Sequence, residues 1–172
     1  MNPLRTFARR FGGERWFGAL GRRLVGLDSE LQKRTKARYS LMSLAGVRGL
    51  VLTVRGRKSG QPRTVALLYV PTAEGYVVAG SNWGGASHPA WTENLLAEPE
   101  ALVAVDGREE LVRARLVEGE ERERLWRVLV EAGPAYRGYE ERAVGREIRV
   151  FLLKRTELSP SNGKRAEQER PP

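Results

Sequence analysis

The fold of this chain is decided by residues 50–70, LVLTVRGRKSGQPRTVALLYV. An apolar run from Leu50 to Val54 enters the segment and a second, from Val65 to Val70, leaves it. Two such runs joined by glycine and proline predict a β-hairpin. We therefore expect a β scaffold that begins near residue 50.

The turn of this hairpin, Gly56–Arg63, is basic. It carries Arg57, Lys58 and Arg63 with the hydroxyl of Ser59, and it contains no acidic residue. Its two glycines allow several backbone N–H groups to face one anion. Two interpretations follow: a phosphate-binding turn, or a solvated hairpin tip that is basic only because the protein is basic.

Charge is spread unevenly along the chain. The 172 residues suit one domain with a substantial core and carry a formal net charge of +9. Residues 1–69 hold 15 basic and 3 acidic side chains, which predicts an anionic partner: nucleic acid, an acidic membrane surface or a small polyanion. The chain has no cysteine and one histidine, His88, so disulfides, thiolate sites and histidine-rich metal sites are excluded and no metal is expected.

The N-terminal part mixes aromatic and aliphatic side chains with arginines at roughly helical spacing over residues 4–25. Such a helix either packs on the domain or lies on an anionic membrane. No apolar run reaches the roughly 18 residues of a membrane span, and charges interrupt any signal peptide, so we expect a cytoplasmic protein, with membrane association through this segment left open. The expected organisation is a basic helical arm over 1–44, a β domain over 45–158 and a disordered tail over 159–172.

Beyond the first hairpin the pattern is mainly β. Strands are predicted near 50–55, 64–70, 75–80, 101–106, 110–117 and 148–154. Helices are predicted over 29–39, 88–97, 119–131 and 135–142. The dipeptide Asp106-Gly107 predicts a tight turn. Six largely antiparallel strands with peripheral helices predict a small β-barrel, with an open antiparallel α+β sheet as the alternative.

Three further stretches are candidates for a site. The run Ala79–Gly85, AGSNWGG, is a glycine-rich strand end, where a backbone comes close to a flat ligand or simply forms a loop. The run His88–Asn94, HPAWTEN, begins a helix with His88 at the predicted N-cap; Trp91 either contacts a ligand or packs in the core. Tyr136 and Tyr139 share one helix face, as substrate contacts or as packing groups.

The order of these stretches resembles the deazaflavin-dependent nitroreductase family over about residues 45–155. The motifs that carry the resemblance are GRKSGQPR at 56–63, GSNWGG at 80–85, HPAW at 88–91 with Asn94, Leu125-Trp126, the tyrosine pair, and REIRV at 146–150. The resemblance implies a split β-barrel, like the FMN-binding flavoproteins, and the use of coenzyme F420. That coenzyme carries a phosphodiester and a polyglutamate tail, for which a basic turn is suited.

The resemblance also implies roles for individual residues. The phosphate and acidic tail would lie on the basic turn and the strand after it: Arg57, Lys58, Ser59, Arg63, Thr64, Val65, Ala66, Leu67 and Leu68. The ring would lie near Ala79, Gly80, Ser81 and Asn82, and the groove would be walled by Ala90, Trp91, Asn94 and Tyr136. The catalytic contacts to the acceptor would come from Ser81, Tyr136 and Tyr139.

The predicted activity is hydride transfer from the reduced deazaflavin to a flat, electron-poor acceptor: a quinone, an enone or a nitroaromatic. The chain departs from the nitro-reducing members at Gly133, where they have a tyrosine, and at Asn82-Trp83; both departures lie on the substrate side and leave the acceptor open. The alternatives are an FMN-binding relative and a non-catalytic cofactor- or anion-binding module. No specific nucleic acid is expected, because exposed aromatics do not interleave the basic residues, and a homodimer is left open.

Overall fold

A computed structural model describes residues 29–38, 48–133 and 135–156. Seven strands form one sheet in the order β2-β1-β5-β6-β7-β4-β3, and every neighbouring pair is antiparallel. The strands are β1 (Gly49–Arg55), β2 (Pro62–Leu68), β3 (Val70–Pro71), β4 (Gly75–Ala79), β5 (Glu100–Val105), β6 (Arg108–Val117) and β7 (Val150–Arg155).

The sheet is curled into a half-barrel, as its connectivity requires. β2 and β3 lie at opposite edges of the sheet, yet only Tyr69 separates them in the chain. A single residue can join the two edges only if curvature brings the edges together. Val65 and Leu67 of β2 accordingly pack on the same core as Val78 of β4.

One described helix precedes the first strand, and the other helices lie in the connections between strands. Helix α1 covers 29–34, α2 Ala90–Ala97, α3 Gly119–Ala132 and α4 Ala135–Arg142, and a 3₁₀ turn covers Asn82–Gly84. The 3₁₀ turn and α2 connect β4 to β5, whereas α3 and α4 connect β6 to β7. The first connection therefore starts at β4 and the second ends at β7, and these two strands are neighbours in the sheet.

Both predicted hairpins are confirmed. β1 and β2 pair from Gly49–Leu68 to Arg55–Pro62, and Pro62 is tolerated because β2 is an edge strand. Asp106 and Gly107 both have positive φ, 50° and 82°, as the tight turn between β5 and β6 requires.

The core has two main parts. Inside the curl, alternate residues of β1, Leu50, Leu52 and Val54, face Trp91 of α2 and Phe151 of β7, as the two-residue period of a strand dictates. A second cluster lies between the sheet and the helices α3 and α4, and its largest members are Leu125, Trp126, Leu129, Tyr136, Ile148 and Leu152.

The structure corrects two predicted boundaries. The strand predicted over 64–70 ends at Leu68, because the chain crosses there to the opposite edge of the sheet and starts β3; seven strands are therefore found instead of six. The helix predicted over 29–39 ends at residue 34, since Lys36 and Ala37 have φ of 51° and 60°. The buried apolar residues of α3 are Leu125, Trp126, Leu129 and Val130, whereas Val128 is only half-buried.

Some predictions fall on residues that the structure does not describe. These are the helix over 4–25, the tail over 159–172 and the domain boundaries at 44/45 and 158/159. Among the residues described, none of the helices combines the length and the apolar character needed to cross a membrane.

Candidate active site

The basic turn between β1 and β2 is closed by its own backbone. The N–H of Gly56 donates to the carbonyl of Gln61 at 2.8 Å, and the N–H of Gly60 donates to the carbonyl of Gly56 at 2.7 Å. Gly60 has φ of 67°, a conformation that glycine adopts without strain. The hydroxyl of Ser59 accepts from the N–H of Gln61 at 3.3 Å. Arg63 adds one long hydrogen bond, from Nη2 to the hydroxyl of Ser59 at 3.5 Å, so the turn is fixed mainly by its backbone.

The basic side chains of the turn are available to an anion. Arg57, Lys58 and Arg63 are exposed. In the described part of the chain none of the three takes part in an ion pair. Three neighbouring cations without an ion-pair partner repel one another, so an anionic ligand is favoured there.

Helix α2 is attached to this turn. The buried Asn94 accepts a hydrogen bond through Oδ1 from the backbone N–H of Arg57 at 3.1 Å. Its neighbour Glu93 pairs with Arg149 at 2.5 Å, and Arg149 also donates to the hydroxyl of Thr92 at 3.2 Å. The hydrogen bond from Arg149 holds the pKa of the Glu93 carboxyl below its usual value. Helix α2 therefore links the basic turn to the segment that leads into β7.

The glycine at the end of β4 allows α2 to approach closely. A Cβ on Gly80 would lie 2.6 Å from Cγ2 of Thr92. The N–H of Gly80 donates to the carbonyl of Arg149 at 2.8 Å. Gly80 is therefore required by packing against α2, beside the loop that follows.

That loop has an unusual backbone. Ser81 is right-handed, whereas Asn82, Trp83 and Gly84 have φ of 46°, 56° and 78°. Two consecutive non-glycine residues in the left-handed region are strained. The side-chain amide of Asn82 donates to the carbonyl of Ser87 at 3.0 Å, which holds the loop closed on itself.

Arg146 holds the same loop from the opposite side. Its guanidinium donates to three carbonyls: Gly85 at 2.8 Å, Ser81 at 2.6 Å and Gly80 at 3.3 Å. Sequence reasoning gave this residue no role; the only signal was its place in the motif REIRV. A sequence cannot indicate that the partners of an arginine are backbone carbonyls.

His88 lies beside this arginine and is not the N-cap that the sequence predicted. The N-cap of α2 is Pro89, because the helix begins one residue later than expected, at Ala90. His88 Nδ1 lies 3.5 Å from Nη1 of Arg146. Burial, then the charges of Arg149 and Arg146, lower the pKa of His88, so its ring is neutral at pH 7.

Four aromatic rings run in a row from α3 to the loop. Centroids of successive rings lie 5.7 Å apart for Trp126–Tyr136, 5.8 Å for Tyr136–Tyr139 and 5.8 Å for Tyr139–Trp83, each with edge-on geometry. Burial raises the pKa of both tyrosines, so their phenols are protonated at neutral pH. They are hydrogen-bond donors rather than bases.

The exposure of these rings differs from one end of the row to the other. Tyr136 is buried, Tyr139 is half-buried and Trp83 is 46% exposed. At Gly133 the nitro-reducing members of the similar family have a further tyrosine. In this chain a Cβ at Gly133 would lie 3.1 Å from the Tyr136 ring, so that ring occupies the space beside this position. Trp83 and Tyr139 are the members of the row that a ligand can reach.

The remaining predicted site residues are placed as follows. Along β2, Val65 and Leu67 face the core. Thr64 lies on the other face of the strand, where its hydroxyl is 3.2 Å from that of Thr53. Only the backbone of β2 and this outer face are therefore free for a ligand. Trp91 is buried and packs on Phe151 with centroids 5.7 Å apart. Ala90 and Leu68 are exposed, Ala66 and Ser81 are half-buried, and Ala79 is buried.

The site therefore consists of two connected parts. The basic turn, α2 and the Gly80–Gly85 loop are joined through Asn94 and Gly80, and the tyrosines join the loop through Trp83. A curled half-barrel with an exposed cationic turn, and with a glycine-rich loop beside protonated phenols, is an arrangement suited to a cofactor-binding protein of the split-barrel type.

Comparison with known proteins identifies the family. Residues 24–155 match the family model described as F420H(2)-dependent quinone reductase. The match covers more than half of the 172 residues, so the chain belongs to this family. The match begins ahead of the region where the sequence motifs carried the resemblance.

Individual relatives agree with this assignment. The F420H(2)-dependent quinone reductase Rv1261c of Mycobacterium tuberculosis (strain ATCC 25618 / H37Rv) is 29% identical over 139 residues, which cover 79% of this chain and 93% of the relative. A solved F420-H2 dependent reductase, FDR-A, is 35% identical with a TM-score of 0.58, covering 62% of this chain and 94% of that one. A solved structure described as a domain-swapped dimer is 30% identical with a TM-score of 0.60, covering 81% and 97%.

Proposed function

We propose that this chain is a reductase that uses reduced coenzyme F420 to reduce a quinone-type acceptor. The family assignment supports the reaction class, and relatives named quinone reductases favour a quinone over the enone and nitroaromatic alternatives. The observation that carries the cofactor assignment is the basic turn: three exposed cations with no ion-pair partner among the described residues, on a backbone fixed by Asn94.

The donor set of the turn fits the coenzyme. Its phosphodiester and polyglutamate tail form a long polyanion, and the guanidinium groups of Arg57 and Arg63 suit planar oxyanions, whereas Lys58 acts as a point charge. The hydroxyl of Ser59 and the backbone of β2 continue the donor surface along an edge strand, whose outer N–H groups have no strand partner.

Reduced coenzyme F420, when bound, supplies the hydride. The residues of the chain then bind, orient and donate. In this proposal the hydroxyl of Ser81 and the phenol of Tyr139 donate hydrogen bonds to the oxygen of the acceptor, where negative charge develops. Burial of Tyr136 between Trp126 and Tyr139 favours a supporting role for its ring, with Tyr139 as the phenol nearer the surface. Proton delivery to the reduced acceptor falls to Tyr139 or to water.

The test is a fluorescence titration with oxidised coenzyme F420 and, separately, with FMN. Wild type, Lys58→Ala and Arg63→Ala are compared, with Arg113→Ala as the matched control, because Arg113 is an exposed arginine whose charge is already paired with Glu100. We expect coenzyme F420 to bind, and binding to weaken at least tenfold in the two turn variants only. Binding of FMN instead would move the chain to the flavin-binding relatives.

An acceptor assay completes the test. Oxidation of the reduced coenzyme is followed with a soluble quinone, an enone and a nitroaromatic at equal concentration. Turnover with the quinone at the highest kcat/KM is expected. Binding without turnover of any acceptor would reduce the function to a cofactor carrier, and binding of neither cofactor would refute the proposal.

Assembly and location are extensions of this proposal. The domain-swapped dimer among the solved relatives supports a homodimer, which light scattering on the purified protein would detect. The cytoplasmic location, and membrane contact through residues 1–25, stay predictions from the sequence. Co-sedimentation of the full chain with vesicles containing anionic lipid, at low and high salt, would test the latter.

A further inference from the structure

Arg146 lies between α4 and β7 and is bound to the loop of the site rather than to an acid. Three of its hydrogen bonds go to the carbonyls of Gly80, Ser81 and Gly85. No ion pair of Arg146 occurs in the described part of the chain. Its charge is therefore used to order backbone, and the three acceptors span both ends of the Gly80–Gly85 loop.

The loop needs such a constraint. A non-glycine residue held in a sparsely populated backbone region raises the free energy of the folded state. Asn82 and Trp83 are both in that condition, and the bulky Trp83 is the less tolerant of the two. Such a backbone persists only where its surroundings determine it fully. Hydrogen bonds from a charged donor to carbonyls are stronger than those between neutral groups, so Arg146 adds a strong constraint to the loop's own hydrogen bonds.

A second arginine contributes less. Arg142 donates from Nε to the carbonyl of Trp83 at 3.4 Å, and its guanidinium lies 5.2 Å from the centroid of the Tyr139 ring. That single long bond is made to an exposed part of the loop. Arg146, by contrast, fixes the residues on both sides of the left-handed turn.

We propose that Arg146 is a positioning residue of the reaction. It fixes the backbone of the Gly80–Gly85 loop, and through it the hydroxyl of Ser81 and the ring of Trp83, against the ring of the bound cofactor. The inference rests on the proposed function, because it assigns a role within that site. Arg146 acts through the loop and not through the anionic tail, which lies on the basic turn.

The geometry separates arginine from lysine at this position. The planar guanidinium reaches three carbonyls at once, whereas an ammonium group is a compact point charge on a flexible stem. Arg146→Lys keeps the charge and much of the apolar stem but loses the planar guanidinium group that reaches three carbonyls. The variant therefore removes the positioning while it leaves the net charge of the site unchanged.

The experiment compares wild type, Arg146→Lys and the control Arg113→Lys. The dissociation constant of oxidised coenzyme F420, kcat with a saturating quinone, and the thermal midpoint are measured for each. A displacement of reacting groups by about 1 Å costs on the order of 100-fold in rate, so we expect kcat to fall about 10- to 100-fold in Arg146→Lys. The dissociation constant should change less than about threefold, since the basic turn is untouched.

Trp83 provides a direct readout of the loop. Its fluorescence is isolated as the difference between each protein and the same protein carrying Trp83→Phe, and acrylamide quenching of that difference is measured. We expect quenching to increase in Arg146→Lys and to stay unchanged in Arg113→Lys.

The outcomes separate the inference from the proposed function. Unchanged kcat and unchanged quenching in Arg146→Lys would overturn the inference, as would a fall in kcat and affinity in equal proportion with a lowered thermal midpoint, which marks a purely structural role. If Arg146→Lys does not fold, Arg146→Gln is measured with the same readouts. Failure of wild type to bind the coenzyme would refute the proposed function, while the quenching comparison would still test whether Arg146 orders the loop.

Discussion

The contact between α2 and the basic turn gives the sharpest prediction about affinity. Asn94 is buried, and its Oδ1 is the acceptor for the backbone N–H of Arg57 at 3.1 Å. Asn94→Leu keeps the branching of the side chain at Cγ and removes the acceptor. The turn then keeps its own closing bonds through Gly56 and Gly60 but loses its connection to the helix.

The expected magnitude follows from this one bond. A neutral hydrogen bond contributes a net ~1 kcal/mol, and a buried N–H left without a partner costs about 1–3 kcal/mol. Because the Arg57 N–H is only partly buried, we expect the lower end, about 1 kcal/mol. The free energy of unfolding should fall by that amount. Since the cofactor must then order a looser turn, its dissociation constant should rise about five- to tenfold.

The control for this prediction is Asn94→Asp. It keeps an acceptor oxygen for the Arg57 N–H and adds a negative charge beside Glu93 and the polyanionic cofactor. The turn should stay attached, while affinity falls through repulsion that salt screens. Affinity of Asn94→Asp should therefore approach that of wild type as salt is raised, whereas the deficit of Asn94→Leu should not narrow.

The assay is a fluorescence titration of the three proteins at two salt concentrations, with urea unfolding of each in parallel. If Asn94→Leu binds coenzyme F420 as tightly as wild type and unfolds at the same urea midpoint, the coupling between α2 and the turn is refuted. A loss of stability without any loss of affinity would refute the second half of the reasoning alone.

Two further predictions concern stability. Gly75→Ala should lower the free energy of unfolding by about 3 kcal/mol, because the new Cβ would lie 2.0 Å from the Leu153 carbonyl oxygen at φ of 151°. Gly119→Ala should lower it by only about 1 kcal/mol, because Gly119 has φ of 58° and open space around it. Equal urea midpoints for the two variants would contradict this prediction. The pKa of His88 is lowered in the folded state, so the unfolded chain binds a proton at His88 more readily. The contribution of His88 to stability is therefore complete above about pH 6.5 and is lost as the pH falls below that value. As the pH is lowered from 7.5 to 5, the urea midpoint should fall less steeply for His88→Gln than for wild type, and parallel profiles would exclude this role.

The parts of the fold that the sequence predicted are the local ones. The hairpin at residues 50–70 and the turn at Asp106-Gly107 are specified by residues a few positions apart, because glycine and proline permit or forbid particular backbone angles. The helix over Gly119–Ala132 is likewise specified by its period. The family and the curled sheet followed from motif order, which carries information that no single element contains.

The parts that the sequence did not predict depend on distant partners. The end of β2 at Leu68 is decided by the opposite edge of the sheet and not by the residues around it, since VALLYV is β-prone throughout. Arg122 reads as a solvated residue of a charged helix, yet it is buried, stacks on Trp126 at 5.6 Å and donates to the carbonyl of Ile148 at 3.3 Å. Its Nε lies 2.8 Å from Glu147 without hydrogen-bond alignment.

The arginines of this chain therefore divide by what faces them, which composition does not record. The arginines of the basic turn are exposed and have no ion-pair partner among the described residues. Their charge is therefore available to a bound ligand, and we assign them to ligand binding. Arg146 points at backbone carbonyls, whereas Arg122 is paired with Glu123 and Glu147 and also donates to the carbonyl of Ile148. The charge of both is therefore already used within the fold. Neutralising a residue of the first kind should change the salt dependence of cofactor binding, because fewer ions are displaced. Neutralising one of the second kind should leave that dependence unchanged and alter stability or kcat instead, so a salt titration on each variant distinguishes the two roles.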